Sequence, residues 1–140
     1  MLVNNLKLLK FMITEDYVSF ETAKLLKEKG FDEFTTMVYN QNEDFMPNGT
    51  IVDAYQTFYS APTLQTAMKW LRETYKLHII TLPYAPINRY AYHPGEADMV
   101  YIAQLYRGIV PIVGIGRSVV KLTHEQACEA AIKYCLENLI

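Results

Sequence analysis

Three segments of this chain begin in nearly the same way: Ser19-Phe20-Glu21-Thr22-Ala23, Thr63-Leu64-Gln65-Thr66-Ala67 and Thr123-His124-Glu125-Gln126-Ala127. Each opens on a hydroxyl whose oxygen accepts from the bare N–H groups of a first helical turn. The first predicts a helix from Ser19 to Lys29, closed by Gly30 in the left-handed conformation with Phe31 folding back onto the last turn. The second predicts a helix from Thr63 to Lys76, where Leu64, Ala67, Met68, Leu71 and Tyr75 follow the i, i+3, i+4, i+7, i+11 series. The third predicts a helix from Thr123 to Leu139, with Thr123 and Gln126 in capping-box positions and Glu129 and Lys133 paired on its wet side. Duplication and convergent capping chemistry account for the likeness about equally well.

Strand-like runs fill the spaces between these helices. Phe34 to Tyr39 alternates, Pro47-Asn48-Gly49 marks a turn, and Ile51 to Tyr59 is rich in aromatics. After the second helix, His78 to Leu82 is apolar and β-branched. Arg89 to Tyr92 and Met99 to Tyr106 flank the turn residues His93-Pro94-Gly95-Glu96. Ile109 to Ile115 contains Pro111, which belongs at an edge or bulge, and Arg117 to Leu122 leads into the last helix. The order does not alternate strand and helix strictly enough for a parallel sheet. The expected class is therefore α+β: an antiparallel sheet with about three helices packed on one face. At 140 residues, with no Ser/Gly/Pro-rich linker, residues 13–140 read as one domain. Residues 1–12 read as an amphipathic arm, from the spacing of Leu2, Leu6, Leu9 and Ile13.

Composition excludes several functions. A formal net charge of −2 provides no bulk field for phosphate, so nucleic acid is not the expected partner. No run approaches the ~20 apolar residues that span a bilayer, and Asn4, Asn5, Lys7 and Lys10 interrupt any export signal. Cys128 and Cys135 are seven apart on one helix, about 10 Å, which is too far for a disulfide. Two reduced thiols on an apolar stripe point to the cytoplasm.

Ile13-Thr14-Glu15-Asp16-Tyr17-Val18-Ser19-Phe20-Glu21-Thr22-Ala23, running on to Phe31, resembles a known group of sequences. So do Ala61-Pro62-Thr63-Leu64-Gln65-Thr66-Ala67 with Lys69 to Glu73, and the closing Glu129 to Ile140. The resemblance, over about half the chain, is to a family of short uncharacterised proteins carried by phages and mobile elements of gut bacteria. It implies a bacterial cytoplasm or a phage-infected host, and it transfers no catalytic residue. Such sequences often begin near the position of Met12, so the arm Leu2 to Phe11 departs from the pattern.

Tyrosine is the unusual residue. Eleven are present, several between Tyr84 and Tyr106 together with Arg89 and His93. Amphipathic rings cover a sheet face, and they also form contact patches. The candidate interaction residues are Tyr84, Arg89, Tyr90, Tyr92 and His93, with Trp70 as a partly buried anchor on the second helix. No catalytic motif accompanies them. His124 and Cys128 share a helix face but lack two further ligands for zinc, so no metal or cofactor is expected. Gly114-Ile115-Gly116 lacks both the Walker lysine and a following helix. The expected function is that of a small, non-enzymatic interaction module, cytoplasmic, binding a protein partner or itself through an aromatic sheet surface. The alternative is a small-molecule or nucleotide-binding protein, or an enzyme, with a closed pocket between helix 63–76 and the sheet, lined by Tyr55, Tyr59 and Tyr84. A basic surface of Arg89, Arg107, Arg117 and Lys121 would be needed for nucleic acid.

Overall fold

The three hydroxyls do what their positions predict. In the computed structural model, which describes residues 14–50, 56–84, 100–112, 117–121 and 123–140, each one caps a helix. Ser19 Oγ accepts from the Thr22 N–H at 3.3 Å and starts α1 (Phe20–Glu28). Gly30, at φ +92°, ends it, while the Phe31 N–H donates to the Leu26 carbonyl at 2.9 Å and Phe31 turns into the core. Thr63 caps α2 (Leu64–Tyr75) through the Thr66 N–H at 3.2 Å. Thr123 caps α3 (His124–Asn138), and both legs of the capping box form, at 3.0 and 3.2 Å.

The strands pair antiparallel throughout, and they divide into two sheets. The smaller contains β1 (Met37–Asn40), flanked by β2 (Phe45–Pro47) and β3 (Phe58–Ser60). β2 falls where the sequence reads as a loop before a turn. The Asn40 side chain closes that hairpin by accepting from the Asn42 and Asp44 N–H groups at 2.8 and 3.0 Å, which returns the chain alongside β1. Met37 then pairs with Pro47, and Val38 with Ser60 on the other side.

The larger sheet contains β4 (Leu77–Tyr84), β5 (Val100–Arg107), β6 (Val110–Pro111) and β7 (Arg117–Lys121). Lys76 alone joins α2 to β4, in the left-handed conformation at φ +59°. β4 pairs with β5 along its whole length, from Leu77 opposite Arg107 to Tyr84 opposite Val100. On the other side of β5, Tyr106 pairs with Pro111, whereas the next residue, Leu105, pairs with Arg117. One edge is thus built from two strands out of register, and Pro111 sits at the break, as its missing N–H requires.

One core joins the layers. Ala127, Cys128, Ala131, Ile132, Cys135 and Leu136 of α3 are buried against Ala103 and Leu105 of β5, Leu77 of β4, Leu71 of α2 and Leu26 of α1. At the other side of the core, Tyr17 bridges to Thr63, and the Val18 N–H donates to the Pro62 carbonyl at 3.0 Å. The α+β class and the antiparallel pairing are as the sequence predicts; the division into two sheets is the added feature. The arm 1–12, the expected strand Arg89–Tyr92, the turn after it, and Gly114 to Gly116 lie outside the described residues, as do Ile51 to Tyr55.

Candidate interaction surface

Residues opposite one another in a sheet point to the same face, so the register of the larger sheet sorts its side chains into two sets. The first set has Pro83, Arg107, Val110 and Lys121 at its margins and, between them, Leu77, Ile79 and Thr81 on β4, Tyr101, Ala103 and Leu105 on β5, and Val119 on β7. The inner ones lie under α3 and in or against the core, and the Thr81 hydroxyl meets Cys128 Sγ at 3.3 Å. The second set is His78, Ile80, Leu82 and Tyr84 on β4, paired with Tyr106, Gln104, Ile102 and Val100 on β5. Val120 continues the Leu82–Ile102 row and Pro111 the His78–Tyr106 row. None of these belongs to the core.

That second face is open and apolar. Ile80, Leu82 and Tyr84 keep 45, 43 and 45 % of their surface, and Val120 keeps 55 %. At the sheet's other end, Ile109 stands almost bare on the turn between β5 and β6, while the exposed Val110 of β6 pairs with Arg107 and so belongs to the first set's face. No Asp, Glu, Lys or Arg appears among the paired residues of this face; its polar residues are His78, Gln104, Ser118, Tyr84 and Tyr106. The Tyr106 hydroxyl donates to Gln104 Oε1 at 3.2 Å. Contiguous apolar surface of more than a few hundred Å² is uncommon on a monomer and marks a contact site.

Of the expected interaction residues, Tyr84 lies at one end of this face. Trp70 lies on the opposite side of the sheet, where its ring meets Phe31 and Tyr75 edge to face at 5.4 and 5.3 Å. The structure does not bring the two together. Arg89, Tyr90, Tyr92 and His93 lie outside the described residues. The aliphatic residues Ile80, Leu82 and Val120 were not singled out in the sequence, although the alternation of β4 carries the signal: two separate faces, both apolar.

Tyrosines elsewhere serve the interior. Tyr17, Tyr39 and Tyr59 form a ring cluster with Phe20 and Phe45, with centroids 5.2 to 5.8 Å apart. The Tyr39 hydroxyl donates to the Val18 carbonyl at 2.8 Å, and the Tyr75 hydroxyl to that of Lys29 at 3.2 Å. Burial raises the Tyr39 pKa, with the Glu129 charge adding to it, so this phenol stays a donor.

Glu129 and Lys133 do not form the expected pair along α3. Glu129 Oε1 instead accepts from the Ser19 N–H at 3.1 Å, from the Thr22 hydroxyl at 2.5 Å and from the Ser19 hydroxyl. A carboxylate at the bare N-terminus of α1 meets concentrated donors and the positive end of the helix dipole, which outweighs an exposed lysine on its own helix. Lys133 turns to Glu21 at 2.5 Å and raises its own pKa while lowering that of Glu21. Two cross-links therefore hold α1 to α3.

Catalytic geometry is weak at the other sites. Cys128 Sγ lies 3.8 and 3.9 Å from the two ring nitrogens of His124, abreast of both rather than in line with either. Burial raises the Cys128 pKa and pushes that of Cys135 to about 12. A nucleophilic thiol needs the opposite shift. Among the described residues no group of three or more His, Cys, Asp or Glu stands close enough to hold a metal. An open groove of about 840 Å³ runs beside α1, α3 and β7, with Asp16, Glu21, Glu125 and Glu129 facing Lys121 and Lys133. A recess of about 420 Å³ lies where α2 meets the sheet, lined by Arg72, His78, Ile80, Tyr106 and Ile109. Tyr59 and Tyr84, expected to share a closed pocket, belong to different sheets. Arg107 donates to the Leu139 carbonyl at 3.0 Å, and Lys121 pairs six residues further along β5, ~20 Å away, so they share no basic patch.

Among the described residues no helix is long and apolar enough to cross a membrane. Comparison with family models, curated proteins and solved structures gives no match.

Proposed function

We propose that this chain is a small, non-enzymatic interaction module whose contact surface is the open face of the larger sheet. The observation that carries the reading is an exposed, largely apolar face with no charged residue at its paired positions, bordered by Arg72 of α2, on a sheet whose other face already supplies the core. Burying that face removes oily surface from water at roughly 25 cal/mol per Å², without stranding a charge. Of the residues expected at this surface, Tyr84 stands at one end of the face; Arg89, Tyr90, Tyr92 and His93 lie outside the described residues. The resemblance of about half the chain to short proteins of phages and mobile elements supports a bacterial cytoplasm or a phage-infected host as the setting.

Affinity purification from the native host, with mass spectrometry and light scattering on the same material, tests the reading. Wild type should carry a stoichiometric companion or a second copy, and Leu82→Glu should lose it while keeping its far-ultraviolet circular dichroism. A Leu82→Glu protein that keeps its companions in full contradicts the proposal.

A further inference from the structure

We infer that the recess where α2 meets the larger sheet binds a small organic carboxylate that carries a branched or aromatic apolar group. The recess borders the contact surface proposed above at His78 and Ile80, and it does not depend on that reading.

The walls select the ligand's charge. The recess, of about 420 Å³, is lined by Arg72, His78, Ile79, Ile80, Tyr106 and Ile109, beside Gly108. A guanidinium and an imidazole are present, and among the described residues no carboxylate lines it. Arg72 stands exposed in the last turn of α2, and no acidic side chain of the described residues pairs with it. The carboxylate nearest in sequence, Glu73, is turned to Lys69 at 3.9 Å. A guanidinium fork with no carboxylate of its own matches a planar carboxylate through two parallel bonds.

The backbone supplies a further donor. The Gly108 N–H donates to the Lys76 carbonyl at 2.7 Å, and the Ile112 N–H to the Leu105 carbonyl at 3.0 Å. Bonded residues alternate along an antiparallel pair, so His78 and Ile80 exchange bonds with Tyr106 and Gln104 of β5. Ile79, between them, turns its N–H away from β5. Among the described residues β4 has no strand on that side, and the Ile79 side chain packs against the core. What Ile79 offers the recess is therefore its backbone edge.

Apolar walls select the rest of the ligand. Ile80 and Ile109, 45 and 95 % exposed, line the recess with Tyr106, whose hydroxyl already donates to Gln104. A bare anion would leave those walls in water, whereas an apolar body covers them while its carboxylate meets Arg72. The volume suits this class, since small-ligand sites span ~300–1,000 Å³.

Amide NMR of the full chain, titrated separately with phenylacetate and isovalerate, tests the proposal. The His78, Ile79 and Gly108 signals should shift and saturate with a dissociation constant of about 1 mM or below for at least one acid. Phenylacetamide, which keeps the ring without the charge, and inorganic phosphate, which has charge without the body, should each bind about tenfold more weakly or worse. Arg72→Gln should weaken the acid about tenfold. Lys69→Gln, one turn back on the same helix and outside the recess, should leave its affinity unchanged. Both positions are exposed, so both variants keep the fold.

Failure of both acids to saturate these signals overturns the site, as does binding that survives Arg72→Gln in full. An equal loss in Lys69→Gln also overturns it, by reducing the effect to the net charge of the helix. Phosphate or phenylacetamide binding as tightly as the acids would contradict the ligand class. A short peptide ending in a free phenylalanine that binds more tightly than phenylacetate would assign the recess to a chain end and overturn the free acid as its ligand.

Discussion

The two sheets of this protein use aromatic and aliphatic residues in opposite ways. In the smaller, Tyr39 and Tyr59 turn inward on Phe20, Phe45 joins them from β2, and the Tyr39 hydroxyl is spent on the Val18 carbonyl. In the larger, the helix-covered face packs Leu77, Ile79, Ala103 and Leu105 into the core, and the outer face sets Ile80, Leu82, Ile102 and Val120 between Tyr84 and Tyr106 and stays open. The tyrosine density between Tyr84 and Tyr106 falls on the larger sheet, where Tyr84 and Tyr106 share the open face with aliphatic neighbours. The proposed contact surface is marked by Ile80, Leu82 and Val120, at positions where a half-buried antiparallel strand would ordinarily carry polar residues.

Leucine truncation on the two faces of the larger sheet gives the widest contrast. Leu105→Ala removes a fully buried side chain from the core and should destabilise the fold by about 3 kcal/mol. Leu82→Ala, on the other face, should cost less than about 1 kcal/mol in the monomer. Chemical denaturation of dilute protein reads both, and equal losses would mean that the outer face is covered.

Alkaline pH probes the covered side. Burial holds the Cys135 pKa near 12, so the folded state keeps a proton that the unfolded chain releases. Stability from this group is complete below the unfolded thiol pKa of about 8.5 and falls as pH rises toward the folded value, by about 1.4 kcal/mol per unit. Urea midpoints at pH 8, 9 and 10 should decline, and Cys135→Ala should flatten the decline. Urea midpoints that fall equally in both proteins would place that thiol in water.

The hydroxyls of the two sheets give the smallest contrast. Tyr39→Phe loses a hydrogen bond to a half-buried carbonyl and should cost about 1 kcal/mol. Tyr84→Phe, on the open face, should lie within about 0.5 kcal/mol of wild type.

Local chemistry was the legible part of the sequence. Ser19, Thr63 and Thr123 announce helix starts because a cap acts within three residues, and Gly30 with Phe31 announces a stop for the same reason. Three features were hidden because they depend on distant partners. β2 exists through the Asn40 side-chain turn and its pairing with β1, although Phe45-Met46-Pro47 has little strand character alone. Glu129 was read against Lys133, four residues away, while its actual donors are Ser19 and Thr22 of another helix. The open face required the register of β4 on β5, since alternation shows that a strand has two sides but not which one the helices cover. Of the candidate surface, Tyr84 was identified, and its aliphatic neighbours were not.

Methyl NMR with a soluble paramagnetic agent tests the central claim most directly: that one face of the larger sheet is closed by α3 and the other meets solvent in the isolated chain. At the lowest workable concentration, the methyl signals of Ile80, Leu82 and Val120 should be strongly attenuated, while those of Leu105, Ile132 and Leu136 persist. Equal persistence of both sets, unchanged by further dilution, would contradict the account.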